Sequence, residues 1–230
     1  MDKTRKVIPA LDVTDLNRIE QLIEAIDSQE IIYGYKAGFS LGLTHGLPKV
    51  VETIRKYSNK PIIYDHQKAA TDIPDTGKLF AQTMKDSGID EVILFPQAGP
   101  VTLEAWVKAV QELEMKVIVG GIMTHPKFVV SEGGFIRDEA VIEMYAKSFE
   151  LGVKDFVVPL TKPEATMKLY KETELDESCA FYSPGFGKQG GDAAQFAFLK
   201  THYMIIGRSL LQAENPVFYL TGVEQDLMQI

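Results

Sequence analysis

Eight short apolar runs, rich in valine, isoleucine and aromatic residues, alternate along the chain with longer segments of helical periodicity. Each run is continuous rather than alternating in polarity, which is typical of strands buried on both faces of a parallel sheet. The runs are VIPALDV (7–13), IIYGYKAG (31–38), PIIYD (61–65), EVILFP (91–96), KVIVGGIM (116–123), DFVVPL (155–160), CAFYSPG (179–185) and YMIIGRS (203–209). The pattern predicts eight parallel strands.

The segments between these runs carry apolar residues at helical spacing. Examples are Leu16, Ile19, Leu22, Ile23 and Ile26, and Val217, Leu220, Val223 and Leu227. Asn215 and Pro216 open the second of these as an N-cap and a first-turn proline. Eight strand–helix units in 230 residues fit a single (β/α)8 TIM barrel that spans residues 1–230. A doubly wound open sheet is the alternative, because periodicity does not report closure.

The amino-acid composition limits the kinds of molecule that the protein is expected to bind. With 45% hydrophobic residues the chain can bury one substantial core. A net charge of −8 and a pI near 5.1 argue against a nucleic-acid or anionic-membrane surface. A single cysteine, Cys179, excludes an internal disulfide, and no apolar run has the length of a membrane span. We expect a soluble cytoplasmic protein.

Polar residues follow several of the predicted strands. They are Asp12, Lys36, Asp65, Thr124 with His125, and Arg208. In a (β/α)8 barrel the active site lies at the carboxyl ends of the strands, so these side chains are expected to meet. Polar residues at the same end of five strands indicate a functional site more strongly than any one motif does.

Two late segments predict a phosphate site. SPGFGKQGGD (183–192) follows strand seven, and Gly207-Arg208-Ser209 follows strand eight. Glycines let backbone N–H groups approach an anion, arginine offers a planar fork of donors, and barrel phosphate sites often lie after these two strands. The chain has no GxxxxGK[ST] motif and no GxGxxG followed by an acid at the distance of a dinucleotide fold, so ATP and NAD are not expected.

The segment YDHQKAATDIPDTG (64–77) places Asp65 and Asp72 on either side of Lys68 at the end of strand three. A lysine flanked by carboxylates keeps its proton, which makes it a poor nucleophile but a well-placed proton donor to a carbanion. The arrangement suits a reaction that generates negative charge on carbon and then quenches it.

A metal site is possible in principle but is not favoured. The four histidines form no HExxH or HxH pair. Asp12, Asp65 and His66 could together bind a divalent ion. Substrate contact and hydrogen bonding are the favoured roles for these residues, so a bound metal is not expected.

Six motifs in this order resemble those of the orotidine 5'-monophosphate decarboxylase family. They are ALDV (10–13), YKAG (35–38), DIP (72–74), MTHP (123–126), PGxGxQGGD (184–192) and GRS (207–209). The resemblance implies conversion of orotidine 5'-monophosphate to UMP and CO2, the last step of de novo UMP synthesis. It also implies a homodimer with shared active sites and no metal or cofactor.

The resemblance assigns catalytic roles to Lys36, Asp65, Lys68 and Asp72. In the family, the residue matching Asp72 comes from the partner subunit together with those matching Ile73 and Thr76. Asp12 matches the contact to a ribose hydroxyl, and Lys36 the hydrogen-bonding bridge between the ribose and the acids. Thr124 matches a serine at the pyrimidine edge. The positions that match the 5'-phosphate grip are Pro184, Gln189, Gly207 and Arg208.

The chain departs from the family at the catalytic segment. The usual motif of the family is Asp-x-Lys-x-x-Asp. In this chain, Asp65, Lys68 and Asp72 are separated by one extra residue in each gap. A bulge at the strand end would re-aim Lys68. An alternative frame starts at His66, which keeps the lysine spacing but loses the first carboxylate. Asp65 is preferred because the chemistry uses that anion.

Two other functions remain open from the sequence. One is a metal-dependent sugar-phosphate reaction of the hexulose-phosphate synthase type, with Asp65 and His66 around Mg²⁺. The other is a non-catalytic sensor that binds a nucleotide with a distorted array. The DIP and MTHP motifs argue against the first, and only the altered spacing supports the second.

Overall fold

The computed structural model describes residues 3–66, 70–187 and 190–230. Within these ranges eight strands pair in parallel in the order β1-β8-β7-β6-β5-β4-β3-β2. The strands are β1 (Thr4–Pro9), β2 (Tyr35–Gly38), β3 (Ile62–Asp65), β4 (Glu91–Leu94), β5 (Lys116–Gly120), β6 (Asp155–Val157), β7 (Ala180–Pro184) and β8 (Thr201–Ile206). All eight predicted runs therefore contain a strand, or overlap one.

The first and last strands of this order meet. Parallel bridges join Val7 to Ile32 and Ala10 to Lys36. The backbone N–H of Leu11 donates to the carbonyl of Lys36 at 2.8 Å, beyond the end of β1. The sheet is thus a nearly closed (β/α)8 barrel, and the open-sheet alternative is wrong.

Helices cover the outside of the barrel. They are α1 (Leu16–Ile26), α2 (Phe39–His45), α3 (Leu47–Arg55), α4 (Thr76–Asp86), α5 (Pro100–Glu112), α6 (Asp138–Glu150), α7 (Pro163–Glu172), α8 (Arg208–Leu211) and α9 (Pro216–Leu227). Asn215 caps α9 as predicted, because its side-chain oxygen accepts the N–H of Phe218 at 3.0 Å. Across the described ranges, no helix combines the length and apolar character needed to cross a membrane.

The strands are buried on both faces, as their continuous apolar runs predict. Inward-facing side chains fill the barrel and outward-facing ones pack against the helices. In β3, for example, Ile63 points inward whereas Ile62 and Tyr64 belong to the outer layer. This alternation decides which residue at each strand end faces the interior.

A polar cluster closes the amino end of the barrel. Lys116 at the start of β5 lies 3.4 Å from Glu91 and 3.6 Å from Asp155. The Tyr33 hydroxyl donates to Glu91 and accepts from Lys116, while the Tyr182 hydroxyl donates to Asp155 at 2.8 Å. Burial raises the pKa of Glu91 above its ordinary value. The amino end is therefore filled by side chains, and a ligand is expected at the opposite, carboxyl end of the barrel.

His202 makes folding stability depend on pH. It is a fully buried residue of β8, and its Nε2 lies 2.7 Å from Ser183 Oγ of β7. Burial, helped by the nearby charge of Arg5, lowers the pKa of His202 to about 3. The unfolded chain therefore binds this proton near pH 6.5 while the folded chain does not, so stability falls as the pH drops from 6.5 towards 3.

We expect this one group to remove about 2 kcal/mol from the free energy of unfolding between pH 7.5 and pH 5. Urea unfolding of the wild type and of His202→Gln at both pH values measures the effect. The variant is expected to lose less stability than the wild type over this interval. Equal losses in the two proteins would show that His202 does not contribute.

Candidate active site

A cavity of about 250 Å³ opens at the carboxyl ends of the strands. Its walls include five of the six polar residues that were predicted to meet, namely Asp12, Lys36, Asp65, Thr124 and Arg208. They belong to five different strands or to the loops that follow them, so the barrel topology brings together residues that are far apart in sequence. The sixth, His125, is exposed and does not line the cavity, so that part of the prediction is wrong. Pro184 and Gly207, predicted for phosphate binding, also line the cavity.

Lys36 is the centre of the polar part. Only 4% of this residue is exposed, and its Nζ lies 3.1 Å from Asp65 Oδ2 and 3.2 Å from Asp12 Oδ1. Burial alone lowers the pKa of the ammonium, but the charges of Asp65 and Asp12 outweigh it, so the pKa of Lys36 lies above its ordinary value. Lys36 is therefore a fixed cation that holds two carboxylates in place.

Gly38 gives Asp12 room to reach Lys36. It is the last residue of β2, and a Cβ built on it would lie 2.6 Å from Asp12 Oδ1 and 3.9 Å from Lys36 Nζ. A side chain there would displace the Asp12 carboxylate. The need for space beside the Asp12 carboxylate thus explains why the YKAG motif ends in glycine. The sequence alone does not reveal this requirement.

Asp65 and His66 point in different directions. The Asp65 carboxylate lines the cavity, whereas His66 Nδ1 lies 2.5 Å from the Tyr64 hydroxyl in a separate outer groove. Neighbouring residues of an extended strand face opposite sides, so this divergence is expected. It supports the frame that starts at Asp65, and it argues against a Mg²⁺ site built from Asp65 and His66.

Two predicted residues lie outside the described ranges. Lys68 and Gln189 fall in the gaps at 67–69 and 188–189. Their roles as proton donor and phosphate ligand, and the bulge expected before Lys68, stay predictions.

Asp72, Ile73 and Thr76 lie away from their own chain's cavity. Asp72 and Thr76 line the outer groove that contains His66. Asp72 Oδ1 accepts the N–H of Ile73 at 2.7 Å, and Trp106 Nε1 donates to the Ile73 carbonyl at 3.1 Å, so the segment is tied to its own chain. Ile73 is 57% exposed. The segment therefore presents these residues outward, as a contribution to a second subunit requires.

The described residues that were predicted to bind phosphate lie across the cavity from Asp65, at the end of β7 and after β8. Arg208 is exposed and opens the short helix α8 directly after β8. Gly185 and Gly187, after β7, have φ angles of 112° and 76°, which favour glycine. A cation and a glycine-rich turn thus meet at the mouth of the cavity, which matches the predicted position for an anion.

Thr124 sits on a well-anchored segment. Its carbonyl accepts the Thr161 hydroxyl at 3.3 Å. Farther along the same segment, Glu132 accepts the N–H of Phe128 at 3.0 Å and pairs with Lys162 at 2.5 Å. The loop after β5 is therefore held against the loop after β6.

Sequence reasoning missed the apolar wall of the cavity. Side chains from β4 to β8 and the adjoining loops form it, namely Ile93, Phe95, Ile122, Met123, Val157, Phe186 and Ile205. In sequence these residues look like ordinary strand core. The signal that could have found several of them is their inward-facing position near the carboxyl end of a strand.

Comparisons with known proteins agree with this geometry. The sequence model of the orotidine 5'-phosphate decarboxylase / HUMPS family matches residues 5–220. The orotidine 5'-phosphate decarboxylase of Methanosarcina acetivorans is 32% identical over 217 residues, which cover 94% of this chain and 91% of that protein. The Thermococcus kodakarensis protein of the same name is 30% identical over 232 residues, which cover both chains completely.

A solved structure shows the same architecture. It is orotidine 5'-monophosphate decarboxylase from Methanocaldococcus jannaschii complexed with the inhibitor BMP, with a TM-score of 0.83 and 27% identity. The match covers 97% of this chain and 99% of that one. Given the family match over most of the sequence, the chain belongs to the orotidine 5'-phosphate decarboxylase / HUMPS family.

Proposed function

We propose that this protein converts orotidine 5'-monophosphate to UMP and CO2 without a metal or organic cofactor. The observation that carries the proposal is the cavity itself. A buried Lys36 joins Asp12 and Asp65, and Gly207 and Arg208 line the same cavity after β8, on the far side from Asp65. Such a site can hold a nucleotide by its phosphate and present its base to a charged array.

The proposed orientation follows from these two ends. Arg208, Gly207 and Gln189 hold the 5'-phosphate, remote from the reacting carbon. Asp12 and Lys36 contact the ribose hydroxyls, and Thr124 contacts the edge of the pyrimidine. Binding energy from the phosphate can then order the loops and position the ring.

The reaction breaks the bond between C6 and the carboxylate carbon. The electron pair of that bond stays on C6, and the carboxylate leaves as CO2. Lys68 stabilises the carbanion and transfers one proton from its ammonium to C6, which gives UMP, and a proton from water restores the ammonium. Asp65 and the partner subunit's Asp72 crowd the substrate carboxylate, a strain that disappears when CO2 leaves.

Lys36 holds this array in place before the substrate arrives. Its ammonium holds Asp65 from within the barrel, and the adjacent wall is apolar. In a site of low dielectric constant, fixed charges act strongly and need little rearrangement during the reaction. We infer that Lys36 positions Asp65 rather than transferring a proton.

The active site would be completed by a second copy of the chain. Ile73 is exposed beside Asp72, and Phe39 and Leu43 of α2, which follows the neighbouring strand, are also exposed apolar residues. Burial of such apolar surface favours association. A homodimer that places the partner subunit's Asp72 at each cavity accounts for the outward direction of the segment.

Mixing two inactive variants tests the shared site. Lys68→Ala and Asp72→Ala proteins, mixed and allowed to exchange subunits, are expected to regain up to about a quarter of wild-type activity, because half of the dimers are mixed and each has one intact site. Turnover is measured before and after exchange, with exchange verified by mass-tagged subunits. Exchange without recovery would show that Asp72 acts within its own chain.

Replacing Arg208 tests the phosphate end. Arg208→Ala is expected to lower kcat/KM for orotidine 5'-monophosphate by about 10²- to 10³-fold, because a charge-assisted contact to the phosphate is lost. The truncated substrate orotidine, which lacks the phosphate, should be turned over equally by variant and wild type. The control is Arg137→Ala, which removes an exposed arginine in a weak surface pair. Equal losses on both substrates would contradict the assignment.

A further inference from the structure

Gly120 ends β5 and Gly121 follows it directly, and an aromatic ring lies against each of them. A Cβ built on Gly120 would lie 2.7 and 2.8 Å from Cε2 and Cε1 of Phe95, on the inner side of the barrel. A Cβ on Gly121 would lie 2.8 Å from Cε2 of Tyr145, on the outer side. Successive residues of a strand face opposite sides, so each ring takes the place of a side chain.

The Phe95 ring is part of the cavity wall. Phe95 is 6% exposed, lines the cavity and packs within the inner core with Ile93 and Ile118. Its carbonyl accepts the N–H of Gln97 at 2.8 Å, and the following Pro96 restricts its backbone. The ring is therefore held on both sides, by its own backbone and by the Gly120 surface.

The Phe95 ring lies at the end of the cavity where the pyrimidine of a bound nucleotide is expected. Asp65 pairs with Ile93 in the register of β3 and β4, and Phe95 lies two residues beyond Ile93. Strand β4 stands opposite β8 in the eight-stranded ring, and Arg208 follows β8. A nucleotide that extends from Arg208 towards Asp65 thus brings C6 of its pyrimidine to the wall that Phe95 forms.

We propose that Phe95, seated over Gly120, sets the largest group that the site accepts at C6 of the pyrimidine. Phe95 is a specificity-determining residue in this account, and Gly120 positions it. The proposal rests on the proposed function, because it uses the same nucleotide orientation. The ligand class is uridine 5'-monophosphate with an uncharged substituent at C6.

Binding of a graded ligand series tests the proposal without turnover. Dissociation constants of UMP, 6-methyl-UMP and 6-propyl-UMP are measured by calorimetry for the wild type, Phe95→Leu and Phe95→Ala. In the wild type, affinity is expected to fall at least about tenfold from the methyl to the propyl ligand, since an apolar wall that fits the smaller group discriminates at about this level per methylene group. In Phe95→Ala that loss should shrink to about threefold or less, with Phe95→Leu in between.

The glycines supply a matched pair of variants. Gly120→Ala is expected to push the ring into the cavity and steepen the size preference, and Gly120→Ala combined with Phe95→Leu should restore it, because leucine leaves space for the new methyl group. Gly121→Ala places the same methyl against Tyr145 outside the barrel, so it should lower thermal stability and leave the size preference unchanged. If Gly120→Ala fails to fold, the Phe95 variants still decide.

The outcomes separate this proposal from the function on which it rests. A wild type that binds UMP and turns over orotidine 5'-monophosphate, with the same size preference in Phe95→Ala, would overturn the role of Phe95 alone. A change in size preference caused equally by Gly121→Ala would also overturn it. A wild type that binds no UMP would overturn both proposals.

Discussion

Replacing Lys68 by alanine is expected to lower kcat for orotidine 5'-monophosphate by at least about 10⁴-fold. The change removes both the proton donor and a positive charge beside the developing carbanion, and each of these contributions is typically worth about 10²-fold or more. UMP should still bind within about tenfold of the wild-type affinity, because the phosphate contacts remain. Single-turnover kinetics and calorimetry measure the two quantities.

The matched control for this variant is Lys78→Ala. Lys78 is an exposed lysine of the neighbouring helix α4, and its removal should leave kcat and UMP affinity unchanged. Circular dichroism confirms that both variants retain the fold. A Lys68→Ala protein with near-normal kcat would show that another group protonates C6.

Lys36→Met is expected to give the second large loss, of at least about 10³-fold in kcat/KM, together with destabilisation. The substitution keeps the unbranched stem of the side chain as far as Cε but leaves Asp12 and Asp65 without their shared cation. Breaking a buried ion pair typically costs about 3–5 kcal/mol, and we expect the lower end because the Asp12 side chain is about half exposed and can be hydrated. Urea unfolding and steady-state kinetics measure the two effects.

Lys116→Met is the control for Lys36→Met. Lys116 also contacts two acids, Glu91 and Asp155, but it does so at the amino end of the barrel. Its removal should lower stability and leave kcat/KM nearly unchanged at temperatures where the protein is folded. Equal losses of activity in both variants would mean that Lys36 acts only through stability.

The strands and the location of the site were predictable for one physical reason. A strand buried on both faces is expected to be apolar throughout, so a charged residue within it or at its end needs an explanation. Asp65 after IIY and Lys36 within YKAG are such residues, and both line the cavity. The rule that barrel strands carry chemistry at their carboxyl ends then places them together.

Closure of the barrel was not predictable from periodicity. It depends on contacts between the first two strands, such as the bridge from Ala10 to Lys36, and not on the apolar content of either strand. The double glycine of VGGIM (119–123) is a further sequence feature that indicates close packing at this point of the chain. Glycine inside a strand often marks a close approach, but the partners, Phe95 and Tyr145, emerge only from the packing.

The opposite directions of Asp65 and His66 follow from strand alternation, which sequence reasoning could have applied to the choice of frame. The outward position of Asp72 could not be obtained this way. It depends on how the segment after β3 folds back onto α5, where the Thr102 hydroxyl donates to the Asp72 carbonyl at 3.0 Å. Contacts between segments that are distant in sequence leave no local pattern.

The most direct test of the whole account is the ultraviolet absorbance of purified protein mixed with orotidine 5'-monophosphate, with and without EDTA. We predict loss of the orotate chromophore at equal rates in both samples and UMP as the product. Turnover that EDTA abolishes would contradict metal-independent chemistry. No turnover despite tight binding of UMP would contradict catalysis itself and identify a nucleotide-binding protein.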